Sequence, residues 1–271
     1  MPVNLGHAPG EGSATGTVGE MSAGPDVGDG ASRGEPTPAP PPQRSTGEAF
    51  RASFADAPVT VSLVVITVVA WLGHEALIRA AGINSDLTLG DPGTAIHGDW
   101  WRLVTPMLVH FGVLHLGVNM LVLWRLGPSV ERVIGRRLYL VSYILSGIGG
   151  QIVSDLVLKP VVRDGFRVPV LSGGASGAIY GVIGILIGYY VATRWAERSG
   201  REVVSGWRFN PGAVKRLAIQ AGLWLVIGGA IAHVDSAAHA GGGIVGVLLG
   251  AGVAWSRTGP ESAPAPLEPP G

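Results

Sequence analysis

The chain has 271 residues, of which 47% are hydrophobic and only 14% charged. A soluble domain carries about 25% charged residues, so this composition points to a membrane protein. Lys and Arg (19) balance Asp and Glu (19), so nothing in the charge calls for a nucleic-acid partner. Cys is absent, which excludes disulfides, thiolate metal sites and cysteine nucleophiles.

Residues 1–55 are rich in Gly, Pro, Ser and Glu, and Pro36 to Pro42 is close to a proline run. Such a stretch buries too little apolar surface to offset its ordering entropy, so a disordered cytoplasmic tail is expected. It has no basic start followed by an apolar core, so a secretory signal is not expected. Residues 56–256 form the folded part, and 257–271 form a second Pro-rich disordered tail.

A helix crossing the bilayer core needs about 20 residues. Six apolar stretches meet or approach that length: 59–78, 103–126, 138–158, 172–192, 217–231 and 237–255. Gly127-Pro128 is expected to stop the second and Pro160 the third. The fifth is short. The expected fold is therefore all-α, a bundle of six transmembrane helices embedded in a lipid bilayer.

With the N-terminus in the cytoplasm, 14 of the 19 Lys and Arg fall in inner segments and 5 in outer ones. Positive charge favours the inside, so both termini are expected there, in a bacterial plasma membrane. Stretches two, four and six then enter from the outside. Their first halves carry His110, His115 and Asn119; Ser176 and Tyr180; and His239. The long connection before stretch two ends in Trp100-Trp101-Arg102, suited to an interfacial position.

Polar residues at membrane depth are costly and face a cavity or another helix. His115 and Asn119 are four apart and share a face, as do Ser176 and Tyr180. Gly177 and Gly181, Gly184 and Gly188, and Gly242, Gly246 and Gly250 are also four apart, a spacing that lets helices approach closely in lipid. If the fourth and sixth stretches pack through these glycines, His239 arrives beside Ser176. A hydroxyl needs a base to become a nucleophile, and His is the usual base near neutral pH. Ser176 and His239 are therefore a candidate catalytic dyad. His115, the Asn119 amide and the Ser176 N–H are candidate donors to an oxyanion.

Each residue alone has a plainer reading. A serine in an apolar helix ordinarily bonds the preceding turn, and glycine stripes ordinarily only pack helices. It is their joint occurrence at one depth that favours chemistry. Asp235 lies four before His239 and reads as a cap rather than a third catalytic member. His110 and His115 are five apart and do not share a helical face, so no metal site is expected.

At these residues the chain resembles the rhomboid family of intramembrane serine proteases. Trp101-Arg102, His110-xxxx-His115-xxx-Asn119, Glu131-Arg132 with Gly135, Gly174-Ala175-Ser176-Gly177 with Tyr180, and Ala238-His239-xx-Gly242-xxx-Gly246 follow the family's motifs in order. The resemblance implies a six-helix bundle with a water-filled outer cavity. It implies Ser176 as nucleophile, His239 as base without an Asp, and an oxyanion site from His115, Asn119 and the Ser176 N–H. It also implies that Tyr180 packs on His239, Gly174 lies beside the nucleophile and His110 supports the long first loop. Single-pass transmembrane proteins are the implied substrates, with no cofactor.

Two other classes compete. A non-catalytic rhomboid-like pseudoprotease would bind membrane clients even as Ser176→Ala. A transporter would show flux in liposomes, but the inner halves of the stretches are dry.

Overall fold

A computed structural model describes residues 55–82, 89–91, 98–158, 161–164, 166–168, 171–203, 210–229 and 234–259. Both expected tails lie outside the described residues, apart from Ala55 and Arg257 to Gly259. Among the described residues there are six long helices: α1 (Pro58–Ala81), α2 (Val113–Ile134), α3 (Arg136–Val157), α4 (Ser176–Arg198), α5 (Pro211–Gly228) and α6 (Ser236–Ser256). Among the described residues, all but α5 are long and apolar enough to cross a membrane. Lys215 and Arg216 lie in the first two turns of the 18-residue α5.

The helices are apolar on nearly all sides, and what separates them is how small their residues are. Two-thirds (67%) of the apolar stretch of α4 is buried inside the protein, against 17% for α1. α4 can be central because it carries Gly177, Gly181, Gly184 and Gly188, and the neighbouring backbones close on these positions. Gly181 lies against Gly246, Gly184 against Gly243 and Gly188 against Val247. α3 closes on the other side of α6: a β-carbon at Gly150 would lie 2.6 Å from the Ala238 carbonyl oxygen. The expected pairing of the glycine stripes is therefore what the fold uses.

The second stretch differs from expectation at both ends. Trp100–Leu103 and Thr105–Leu108 are 3-10 turns, and α2 begins only after Gly112, whose φ of 116° suits no other residue well. At its far end α2 runs through Pro128 to Ile134. A proline inside a helix costs about 3 kcal/mol, and tertiary packing outweighs it here. Val130, Val133 and Ile134 are buried beyond it. Glu131 accepts hydrogen bonds from Val59 N (3.0 Å), Thr60 N (2.9 Å) and Thr60 Oγ1 (2.9 Å), capping α1. α4 likewise begins later than expected, at Ser176. Ser172 pairs with Gly90 as an isolated bridge, and Gly174 has a φ of 119° that breaks any helix.

The described residues also include two small antiparallel pairs. β1 (Val161–Arg163) and β2 (Phe166–Val168) form a hairpin between α3 and α4. β3 (Glu202–Val203) pairs with β4 (Thr258–Gly259), tying the ends of α4 and α6.

Candidate active site

Ser176 is the first residue of α4. The chain reaches it through a short rigid path. Gly174 N donates to the Pro106 carbonyl (2.8 Å), and Ala175 N donates to His110 Nε2 (3.2 Å). The first N–H groups of a helix have no partners within it and carry the positive end of its dipole. The Ser176 hydroxyl thus sits where a developing negative charge is stabilised.

His239 lies one turn into α6, and its Nε2 is 2.7 Å from Ser176 Oγ. The Tyr180 ring stacks on the imidazole, with centroids 4.5 Å apart and planes 9° from parallel. Tyr180 also donates from its hydroxyl to the Ala221 carbonyl of α5 (3.3 Å). Asp235 caps α6: its Oδ1 accepts from Ala238 N (2.8 Å) and its Oδ2 from Ser154 Oγ (2.6 Å). Both carboxylate oxygens are engaged away from His239 Nδ1, which is buried without a hydrogen-bond partner.

α2 brings its polar face to the same place. A β-carbon at Gly174 would lie 2.9 Å from His115 Nε2, so only glycine fits there. Phe111 N donates to His115 Nδ1 over a long 3.4 Å. In the neutral ring this leaves the proton on Nε2, as a donor. Asn119 is buried and gives one amide N–H to the His115 carbonyl (2.9 Å), which leaves its second free to donate.

His110 precedes α2 and is buried. Its ring fastens the turn before Ser176, and its carbonyl accepts from Trp71 Nε1 of α1 (2.9 Å). Its bonds thus run to the nucleophile turn, to α1 and to the Leu108 backbone at the end of the segment before α2. Among the described residues of the long loop before α2, Arg102 donates to Asp99 (3.0 Å) and to the Leu89 carbonyl (2.8 Å).

His115, Asn119, Ser176, Tyr180 and His239 line one cavity of about 460 Å³. Gln151 and Asp235 add to its polar end. Val118, Val122, Leu217 and Trp224 of α2 and α5 make an apolar wall. Sequence reasoning did not single out Gln151, Trp71 or Ser154. None of them stands in a local pattern with the dyad.

Comparison with known proteins places the chain in a family. The Rhomboid domain family model matches residues 97–256. The chain is 33% identical over 162 residues to Rhomboid protease GluP of Bacillus subtilis, covering 60% of this chain and 28% of that protein. It is 31% identical over 161 residues to Rhomboid protease AarA of Providencia stuartii, covering 57% and 56% respectively. It is 29% identical over 211 residues to Rhomboid protease GlpG of Pectobacterium atrosepticum, covering 75% and 66%. The chain thus spans between 28% and 66% of the length of these relatives. The long apolar helices make it an integral membrane protein, and with more than half of its length matched by the domain model, the chain belongs to the rhomboid family.

Proposed function

We propose that the protein is an intramembrane serine endopeptidase that cleaves membrane-spanning protein substrates. Ser176 is the nucleophile and His239 the general base. The observation that carries this reading is the 2.7 Å approach of His239 Nε2 to Ser176 Oγ at the start of a helix.

As Ser176 Oγ attacks the substrate carbonyl carbon, its proton passes to His239 Nε2. The carbonyl oxygen becomes an oxyanion. The Ser176 N–H, the second Asn119 amide N–H and His115 Nε2–H are the donors for it, aided by the dipole of α4. His239 then gives the proton to the leaving amine, and an ester to Ser176 remains. Water, activated by His239 in the same way, hydrolyses that ester and restores the serine. The stacked Tyr180 ring keeps the imidazole in plane with the hydroxyl throughout. No step asks for a cofactor.

The cavity supports a substrate that arrives from lipid. Its wall of α2 and α5 side chains is apolar, while its polar end holds the dyad. A single-pass transmembrane segment has the matching character. The distribution of basic residues supports both termini in the cytoplasm and the dyad in the outer half of the membrane. The bacterial relatives support a plasma-membrane setting.

Labelling the purified protein with a fluorophosphonate probe tests the reading. Wild type is expected to label, and Ser176→Ala and His239→Ala are not. A folded wild type that stays unlabelled where a control serine hydrolase reacts would overturn it in favour of client binding without catalysis.

A further inference from the structure

Ser176 and His239 belong to helices that touch through glycine. Gly242 lies against the Gly177 carbonyl, Gly246 against Gly181 and Gly250 against Ile185. This stripe repeats every four residues. A slide of α6 by one repeat, about 6 Å, brings Gly246 to Gly177, Gly250 to Gly181 and Ala254 to Ile185. A slide the other way brings Ala238 to Gly177 and Gly242 to Gly181. Apart from Ile185, which offers its backbone to Gly250, the residues so paired are small and can pack closely. Glycine packing therefore sets the distance between α4 and α6 better than it sets their register. Yet a slide of one repeat carries His239 far outside hydrogen-bond reach of Ser176.

Packing on α3 narrows the register, because Val153 seats on Gly241 and Val245 on Gly149, and directional bonds fix it at the ends of α6. At the inner end, Arg257 donates to the Val133 carbonyl (2.6 Å), and β4 pairs with β3. These contacts lie about 27 Å along the chain axis from His239, and the first acts through a long flexible side chain. At the outer end, Ser236 Oγ donates to the Leu225 carbonyl of α5 (3.1 Å), and one turn before His239 a shorter bond reaches α3. Asp235 Oδ2 accepts from Ser154 Oγ at 2.6 Å, and Ser154 is buried on α3. The same carboxylate caps Ala238 N, and the Asp235 carbonyl accepts from His239 N (3.1 Å). Asp235 thus joins the first turn of α6, where His239 sits, to a fixed point on a third helix.

We propose that Ser154 and Asp235 are a positioning pair that fixes the register and rotation of α6 at its outer end and so holds His239 Nε2 against Ser176 Oγ. This role rests on the dyad reading above. It is distinct from the helix cap, because a cap needs only one of the two carboxylate oxygens.

Three variants separate the two jobs. Asp235→Ser keeps a good N-cap but is too short to reach Ser154. Ser154→Ala removes the donor and leaves the cap. Asp235→Asn keeps both contacts, with its amide oxygen on Ala238 N and its amide N–H on Ser154 Oγ. The measurement is the rate constant for fluorophosphonate labelling of Ser176 in the full-length protein in lipid nanodiscs, per folded molecule, with Tm measured in parallel. Asp235→Ser and Ser154→Ala are expected to label about tenfold more slowly, as loss of a charge-assisted hydrogen bond implies. The double variant is expected to be no slower than either alone, because the two residues act as one unit. Asp235→Asn recovers most of the rate. Labelling of Asp235→Ser and Ser154→Ala at the wild-type rate, whatever their Tm, overturns the positioning role and leaves the dyad standing. A wild type that does not label overturns the dyad, and the positioning role with it.

Discussion

Gly242 of α6 lies so close to the Gly177 carbonyl of α4 that a β-carbon at position 242 would overlap it. The other side of that β-carbon would meet the Ser146 carbonyl oxygen at 3.1 Å. Both neighbours are backbone, so neither can turn aside. Gly242→Ala must push α6 off α4, at a cost of about 1–3 kcal/mol. His239 moves with it, and a shift of about 1 Å is enough to break a 2.7 Å bond to Ser176. Fluorophosphonate labelling is expected to fall at least about tenfold. Gly252→Ala is the control, since nothing lies within 4 Å of a β-carbon there. Equal labelling by both variants would mean that glycine packing does not govern the dyad.

Tyr180 offers two contacts that substitution can separate. Its ring stacks on His239, and its hydroxyl reaches the Ala221 carbonyl. Tyr180→Phe keeps the first and is expected to label within about twofold of wild type. Tyr180→Ala removes both and leaves the imidazole free to rotate. A stacked aromatic pair is worth about 0.5–1.5 kcal/mol, so labelling is expected to fall about threefold to tenfold. A large loss in Tyr180→Phe would instead assign the work to the bond with α5.

The glycine stripes and the pairing of Ser176 with Tyr180 were legible in the sequence because each is a local pattern, whereas His239, 63 residues from Ser176, joined them only through the supposed packing of those stripes and the order of the motifs. Ser176 with Tyr180 and Gly242 with Gly246 obey helical spacing, and spacing can be read without a structure. The ends of α2 were not legible. Pro128 ordinarily ends a helix, and only the burial of Val130, Val133 and Ile134 beyond it carries the helix on. The bonds that fasten the site were hidden for another reason. Ser154 and Asp235 are 81 residues apart, Thr60 and Glu131 are 71 apart, and His110 and Ala175 are 65 apart. No periodicity joins such pairs. His110 was singled out for a motif, yet its partners at Ala175 and Trp71 emerge only from the fold.

His110 makes the stability depend on pH. It lies outside the helices, buried beside His115, and burial first and that neighbour second hold its pKa down to about 4, against 6.5 for an ordinary histidine. Below 6.5 the unfolded chain takes up a proton that the folded protein does not bind until about 4. Stability contributed by the neutral ring is therefore lost as pH falls through that window. His110→Gln removes the titration. Its Tm is expected to be lower near neutral pH but to change less than that of wild type between about pH 7 and about pH 5. Parallel losses in the two proteins would show that another group titrates there.

Glu131 tests the opposite end of α2. It is buried and accepts three hydrogen bonds from Val59 and Thr60, so it caps α1 from a distance. Glu131→Ala leaves the Thr60 amide and hydroxyl buried without that partner, which is expected to cost about 3 kcal/mol of stability. Glu131→Gln keeps an acceptor oxygen and is expected to fall between the two. Glu131 is about 24 Å along α2 from His115, so the chemistry should not feel the change directly. Thermal unfolding should show both variants shifted down, while the labelling rate of the folded fraction at low temperature stays at the wild-type value. A rate that falls with Tm still well above the assay temperature would mean that α1 and α2 transmit the loss to the dyad, in which case Trp71 and its bond to His110 are the route to examine.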